Sequence, residues 1–171
     1  MKISKVLIFS LPLAVLASCG EPKFKVSGEV EGGADQSLVL EKSDFHGRWI
    51  PVDSTRVKSS GKYEIKSDAP ASPEIYRLSL DGKFIYFPID SIENITINSP
   101  AASFGIDFTV TGSEQAANLA SFEKELMALD FSDKTKCEAF KKNVYNKYIK
   151  DSQGGIIGYY VLTKIVDGKP L

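Results

Sequence analysis

Ile75-Tyr76-Arg77-Leu78-Ser79-Leu80, Asp81-Gly82, Lys83-Phe84-Ile85-Tyr86-Phe87 is the stretch on which the fold turns. Two alternating runs of apolar and polar residues flank an Asp-Gly pair, the dipeptide best suited to the two-residue turn of a β-hairpin. Working outward, the same short-strand rhythm extends over residues 24–112. Phe24-Lys25-Val26-Ser27-Gly28-Glu29-Val30 alternates, Glu31-Gly32-Gly33-Ala34-Asp35 interrupts it, and Leu38 and Leu40 resume it, which predicts a first hairpin. Ile50, Val52 and Val57, then Ser59-Ser60-Gly61, then Tyr63 and Ile65 predict a second. Ile92, Ile95 and Ile97, followed by Ile106, Phe108 and Val110, supply the last strands. Some eight short strands, with turn signals every 8–12 residues, point to an antiparallel sandwich or barrel.

After Gly112 the period changes to that of a helix. Ser113 is placed as an N-cap with Glu114 in the first turn, and Leu119, Phe122, Leu126 and Leu129 recur at helical spacing. A second helix is predicted from about Ser132 to Lys150, with Cys137, Phe140, Val144 and Tyr148 on one stripe. A third apolar segment covers residues 156–166 and is apolar on most sides, so it requires a deeply buried position or a docking surface. The fold class is therefore α+β: an antiparallel β-sandwich or barrel-like N-terminal domain over residues 24–112, then a C-terminal helical segment over residues 113–171.

The N-terminus carries an address. Lys2 and Lys5 precede an apolar run over residues 6–16, about the length of a signal core and too short to span a bilayer, which needs roughly 20 apolar residues. Leu16-Ala17-Ser18-Cys19 closes that run and resembles a bacterial lipobox, which implies a signal peptide over residues 1–18, lipid attachment at Cys19 and a tether over residues 19–23. The expected location is the cell envelope, on a bacterial membrane reached through Cys19, with the periplasmic face preferred to the cell surface because Gly20-Glu21-Pro22-Lys23 carries no acidic run.

Composition narrows the chemistry. The 171 residues are 43% hydrophobic and 25% charged, in the ordinary globular range. Lys+Arg total 21 against 22 Asp+Glu, so no net-charge argument for nucleic acid exists. With Cys19 acylated, Cys137 is the one cysteine left and no intramolecular disulfide can form. Cys-x-x-Cys is absent and His46 is the sole histidine, which removes dithiol redox and multi-histidine zinc chemistry; neither a metal nor another cofactor is expected.

Val52-Asp53-Ser54-Thr55, Gly61-Lys62-Tyr63, Pro73 with Tyr76, Phe87-Pro88-Ile89-Asp90 with Ile95-Thr96-Ile97, and Val110-Thr111-Gly112-Ser113 follow in an order and spacing that resembles one family. It is the domain of unknown function at the N-terminus of many Bacteroidetes envelope lipoproteins, where it commonly precedes a thioredoxin-like domain of the alkyl hydroperoxide reductase/thiol-specific antioxidant type. The resemblance covers about residues 24–129. It implies a β-rich accessory domain and supplies no catalytic residue. The thioredoxin-like part has no counterpart here, so the chain is expected either to stand alone or to be the N-terminal piece of a thiol-disulfide oxidoreductase; the apolar third helix and the Lys169-Pro170-Leu171 ending favour the piece slightly.

The most site-like segment is Asp44-Phe45-His46-Gly47-Arg48-Trp49. Phe45, His46, Arg48 and Trp49 combine flat rings with orienting polar groups, a combination suited to a glycan or peptide ligand. The competing assignment turns Phe45 and Trp49 inward to cap the end of the β domain. Cys137 lies on an apolar stripe and is expected to be an inert core thiol. Asp53-Ser54 reads as strand, and Asp90, Glu93 and Asp107 match no calcium loop. Lys134, Lys136, Lys141, Lys142, Lys147 and Lys150 make the second helix basic; a solvated face is favoured over contact with anionic lipid. The leading expectation is a non-catalytic envelope lipoprotein, an accessory or interaction module with an envelope protein as partner, ahead of the oxidoreductase piece and of a glycan- or peptide-binding lipoprotein.

Overall fold

The structure is a computed structural model and describes residues 22–44, 47–150 and 155–167. Among them are eight strands: β1 (Lys23–Glu31), β2 (Ser37–Ser43), β3 (Trp49–Arg56), β4 (Lys62–Asp68), β5 (Glu74–Leu80), β6 (Lys83–Ile89), β7 (Asn94–Pro100) and β8 (Thr109–Thr111). Helices α1 (Glu114–Met127), α2 (Lys134–Val144) and α3 (Ile156–Leu162) follow. A π-helical stretch continues α2 over Tyr145–Lys150, and another continues α3 over Thr163–Asp167.

The strands form two four-stranded sheets, ordered β4-β1-β7-β8 and β3-β2-β5-β6. The Asp-Gly hairpin forms as expected, with Ile75 opposite Pro88 and Leu78 opposite Ile85. The two earlier predicted hairpins do not. β1 lies in one sheet and β2 in the other, and β3 and β4 are likewise divided. The turn residues serve instead as corners where the chain changes sheet, and the two corners are bonded to each other: Asp35 N–H donates to Val57 O (2.9 Å), and Val57 N–H to Gln36 O (2.9 Å). The sheets are antiparallel except for β1 with β7, which run parallel.

Phe24, Val26 and Val30 from β1, Leu38 and Leu40 from β2, Ile85 and Phe87 from β6, and Ile95 and Ile97 from β7 fill the space between the sheets, all essentially inaccessible. The outward face of the second sheet is also covered. Ile75, Leu119, Phe122, Val144, Tyr148, Ile157, Tyr160 and Val161 make a second core between that face and the helices. Helix α1 belongs to both cores, with Ala116 and Ala120 in the first and Leu119 and Phe122 in the second. Its start is fixed by Ser113, whose hydroxyl accepts from Ala116 N–H.

Parallel pairing of β1 with β7 lapses in mid-strand. Ser27 opposes Thr96 and Val30 opposes Ser99, while Gly28 and Glu29 have no ladder partner on β7. Side chains fill the gap: Glu29 N–H donates to Asn98 Oδ1 (2.9 Å), and Tyr63 on β4 reaches across β1 at Gly28 to donate its hydroxyl to Ile97 O (2.9 Å). A Cβ at Gly28, whose φ is +157°, would sit 1.9 Å from Ile97 O, so the backbones can approach this closely only with glycine there.

Gly28→Ala should therefore force β1 from β7 and cost at least about 2 kcal/mol, while Tyr63→Phe, which leaves a buried carbonyl unpaired, should cost about 1–3 kcal/mol. Urea unfolding of each variant measures both; a Gly28→Ala midpoint equal to the parent's would contradict the close approach.

Candidate functional site

The loop singled out from the sequence joins β2 to β3. Phe45 and His46 lie outside the described residues. Asp44 organises what is visible: its carboxylate accepts from Arg48 N–H (2.8 Å) and from Arg48 Nε (2.7 Å), and its own N–H donates to Arg48 O (2.8 Å). Arg48 is thus folded back on the loop with its side chain mostly exposed. Trp49 is half-buried and turns toward the helical layer, with its ring centroid 5.5 Å from that of Tyr86. Arg48 and Trp49, adjacent in sequence, are not brought together as one surface.

Trp49 points this way because of an irregularity in strand pairing. Leu40 opposes Asp53, yet Glu41 opposes Pro51, so β3 carries one extra residue at that point. A shift of one residue moves the following side chains to the opposite face of a sheet. Trp49 therefore shares the face of Glu41 and Arg77 instead of the face of Leu40.

Trp49 joins a cluster that the reading of the sequence did not single out. Arg77 Nε donates to Glu41 Oε2 (2.7 Å) across β5 and β2, and both side chains are nearly inaccessible, 13% and 14% exposed. The guanidinium carbon lies 4.3 Å from the Trp49 ring centroid and 3.9 Å from that of Phe84. Tyr86 continues the series to Tyr160 on α3 (5.8 Å), and Lys164 Nζ lies 4.9 Å from the Tyr86 ring and 5.2 Å from the Tyr160 ring. Tyr160 donates its hydroxyl to Glu123 Oε1 on α1 (2.8 Å). The signal that could have located this cluster is Phe84-Ile85-Tyr86-Phe87, whose apolar character on both faces marks a strand covered on two sides.

Burial dominates the acidities here. It raises Glu123 above the ordinary carboxylate range, against the opposing effects of the Tyr160 hydroxyl and Lys164. It also raises the Tyr160 phenol, with Glu123 adding to the effect, so Tyr160 stays protonated and donates. These groups fasten α3 and α1 to the sheet. Cys137 is buried, and its thiol faces Asp130 O at 3.7 Å.

Two shallow grooves of about 320 and 370 Å³ mark the outward face of the first sheet, with Glu29 and Asn98 in both, Glu31 and Asp107 in one, and Lys58 and Lys62 in the other. Among the described residues, no three or more His, Cys, Asp and Glu side chains converge as they would to hold a metal ion. No helix of the described residues is long and apolar enough to cross a membrane.

Arg77→Ala should cost about 2–4 kcal/mol by leaving the nearly buried Glu41 unpaired and uncovering two rings; thermal unfolding of the variant reads this loss. Glu123 gives a pH dependence. Because its pKa is raised in the folded state, that state holds more protons than the unfolded chain above about pH 4.5, and stability falls as pH rises through the interval up to the folded pKa. Glu123→Gln should flatten that dependence and be at least as stable as the parent at pH 7, since the amide oxygen still accepts from Tyr160. An unchanged profile would contradict the burial of the carboxylate.

Comparison with known proteins gives one family. The model of a domain of unknown function, DUF4369, matches residues 24–119. None of the curated proteins matches the chain. Similar solved structures include a crystal structure of (S)-allantoin synthase, 10% identical with a TM-score of 0.38, covering 55% of this chain and 45% of that one. Another is sea bream transthyretin in complex with thyroxine, 14% identical with a TM-score of 0.38, covering 53% of this chain and 96% of that one. The chain thus spans less than half of the allantoin synthase chain, and likeness at this level says nothing about ligand or reaction. The family match begins one residue into β1 and ends inside α1, so it takes in the whole sandwich and the helix that joins its two cores: this chain belongs to the DUF4369 family of domains of unknown function.

Proposed function

We propose that the protein is a lipid-anchored, non-catalytic module of a bacterial cell envelope, attached through Cys19 and serving as an accessory or interaction domain. One observation carries the proposal: β1 begins at Lys23 and the family match at residue 24, so the sandwich starts within five residues of a cysteine that closes a lipobox-like sequence. Such spacing suits a domain held directly on a membrane surface by a covalent lipid.

The roles of the motif residues support the non-catalytic part. Tyr63 of Gly61-Lys62-Tyr63 secures Ile97 O, and Gly61 O accepts from Val30 N–H (2.8 Å). Val52-Asp53-Ser54-Thr55 lies in strand β3. Gly112 sits where a Cβ would lie 2.0 Å from Asn94 O, and Ser113 caps α1. Each of these residues sits in a strand, at a close backbone approach or at a helix cap. Burial likewise accounts for the raised pKa values of Tyr63, Tyr76 and Glu123, with Glu74 adding to the effect at Tyr76.

Metabolic labelling with a fatty acid in a bacterial host tests the anchor. The chain should take up label and remain with the membrane fraction, and Cys19→Ser should abolish both. Label retained by Cys19→Ser, or none in the parent, would overturn the proposal.

A further inference from the structure

The start of β1 identifies which end of the sandwich lies nearest Cys19. Ala69 N–H donates to Pro22 O and Lys25 N–H to Glu93 O, both at 2.8 Å. The connection over residues 69–73 and the turn over residues 90–93 therefore flank the point where the chain joins the sheet. The β2–β3 loop is at this end too, since Lys42 opposes Tyr76 and its Nζ reaches Glu74 Oε2 at 3.3 Å. The opposite end holds the Asp81-Gly82 turn and the segment between β7 and β8, where Lys83 Nζ donates to Ala102 O (2.9 Å) and Ala101 N–H to Glu31 O (2.8 Å).

Among the described residues each end presents isoleucine to solvent, with Ile50 (43% exposed, opposite Lys42) also on the Cys19 side. Ile92 is 63% exposed at the Cys19 end, and Ile106 is 68% exposed at the other. The turn that carries Ile92 is fixed, because Asp90 N–H donates to Glu93 Oε2 at 2.8 Å. Two carboxylates, Asp90 and Glu93, stand beside Ile92 in its turn, and the ion pairs at this end are Lys23 with Asp68 (3.4 Å), Lys42 with Glu74 (3.3 Å) and Arg48 with Asp44 (2.7 Å), which leaves no excess of positive charge among them.

We propose that this end of the sandwich seats on a zwitterionic lipid surface, with Ile92 inserted among the headgroups. The inference rests on acylation of Cys19. Lys23 is four residue steps beyond Cys19, so the start of β1 lies within about 14 Å of the acylated residue even when the chain is fully extended. The headgroup layer on each side of the hydrocarbon is about 5–8 Å deep. A tether this short leaves little room between the domain and the bilayer, and the turn bonded to the third residue of β1 carries exposed Ile92 at this end. With no excess of positive charge at this end, nothing there calls for an anionic headgroup. The basic face of α2 and its π-helical continuation, where Lys134, Lys142 and exposed Tyr145 fall at helical spacing, presents the competing orientation and would require anionic lipid.

The test uses the acylated chain reconstituted into phosphatidylcholine vesicles brominated on the acyl chains near the headgroups. Ile92→Trp, Ile106→Trp and Tyr145→Trp are compared, with Trp49 as the common background. All three positions are exposed, and circular dichroism confirms that each variant folds. Ile92→Trp fluorescence should be quenched at least about twofold more than that of the other two, without anionic lipid. Quenching equal at all three positions, greater for Tyr145→Trp or Ile106→Trp, or dependent on added phosphatidylglycerol overturns the proposal. Acylated protein with unquenched Ile92→Trp overturns this inference and leaves the anchor standing; failure to acylate removes both.

Discussion

The parallel pairing of β1 with β7, broken at Gly28 and bridged by side chains, is the constraint on which the rest of the structure depends. β1 is an interior strand of its sheet, between β4 and β7, and it supplies Phe24, Val26 and Val30 to the core. Its two neighbours are joined across Gly28, where Tyr63 from β4 reaches Ile97 on β7. A larger residue at Gly28 would hold the strands apart, and without Tyr63 the Ile97 carbonyl would lose this partner in a dry interior, at a cost comparable to a hydrogen bond or more. The turn through Gly61 begins the strand that delivers Tyr63, and Gly112 permits the close approach to Asn94 that carries the chain from β8 into α1.

The helical layer follows from what the second sheet leaves uncovered. Ile75, Tyr86 and Trp49 project from the outward face, and α1 and α3 cover them with Leu119, Phe122, Ile157 and Tyr160. Arg77 is the exception in chemistry but not in packing. Its charge is met by Glu41 and its planar group by Trp49 and Phe84, an arrangement for which a guanidinium is better suited than an ammonium. The same end-to-end logic applies to Glu123 and Tyr160, which join α1 to α3 through a bond sheltered from water.

Much of this was legible in the sequence because it is local. The Asp81-Gly82 hairpin, the change of period after Gly112, the Ser113 cap and the burial of Cys137 each depend on residues a few positions apart. Sheet membership was not legible. A turn of Gly, Asp and Ser residues reads alike whether it closes a hairpin or carries the chain over a corner, and residues 31–36 and 57–61 do the latter. The β1–β7 pair joins residues 69 apart, with no local signature. The orientation of Trp49 depended on one extra residue in β3, which periodicity cannot register because a single slip reverses every face after it. The Arg77 cluster was hidden for a related reason: its members come from β2, β3, β5 and β6 and meet only when the sheet is assembled.

Family membership, strand placement and the roles of the motif residues describe a scaffold whose distinctive residues secure backbone to backbone, and the proposed membrane anchor gives that scaffold an address. The account's central claim, that side chains bridge the lapse between β1 and β7, is tested most directly by amide hydrogen exchange at Glu29, whose N–H is bonded to Asn98 Oδ1. Glu29 should be protected as strongly as Val26 and Ser27 in the parent, and Asn98→Ala should remove protection at Glu29 while leaving those two intact. Exchange at Glu29 as rapid as at an unbonded loop amide in the parent would contradict the account.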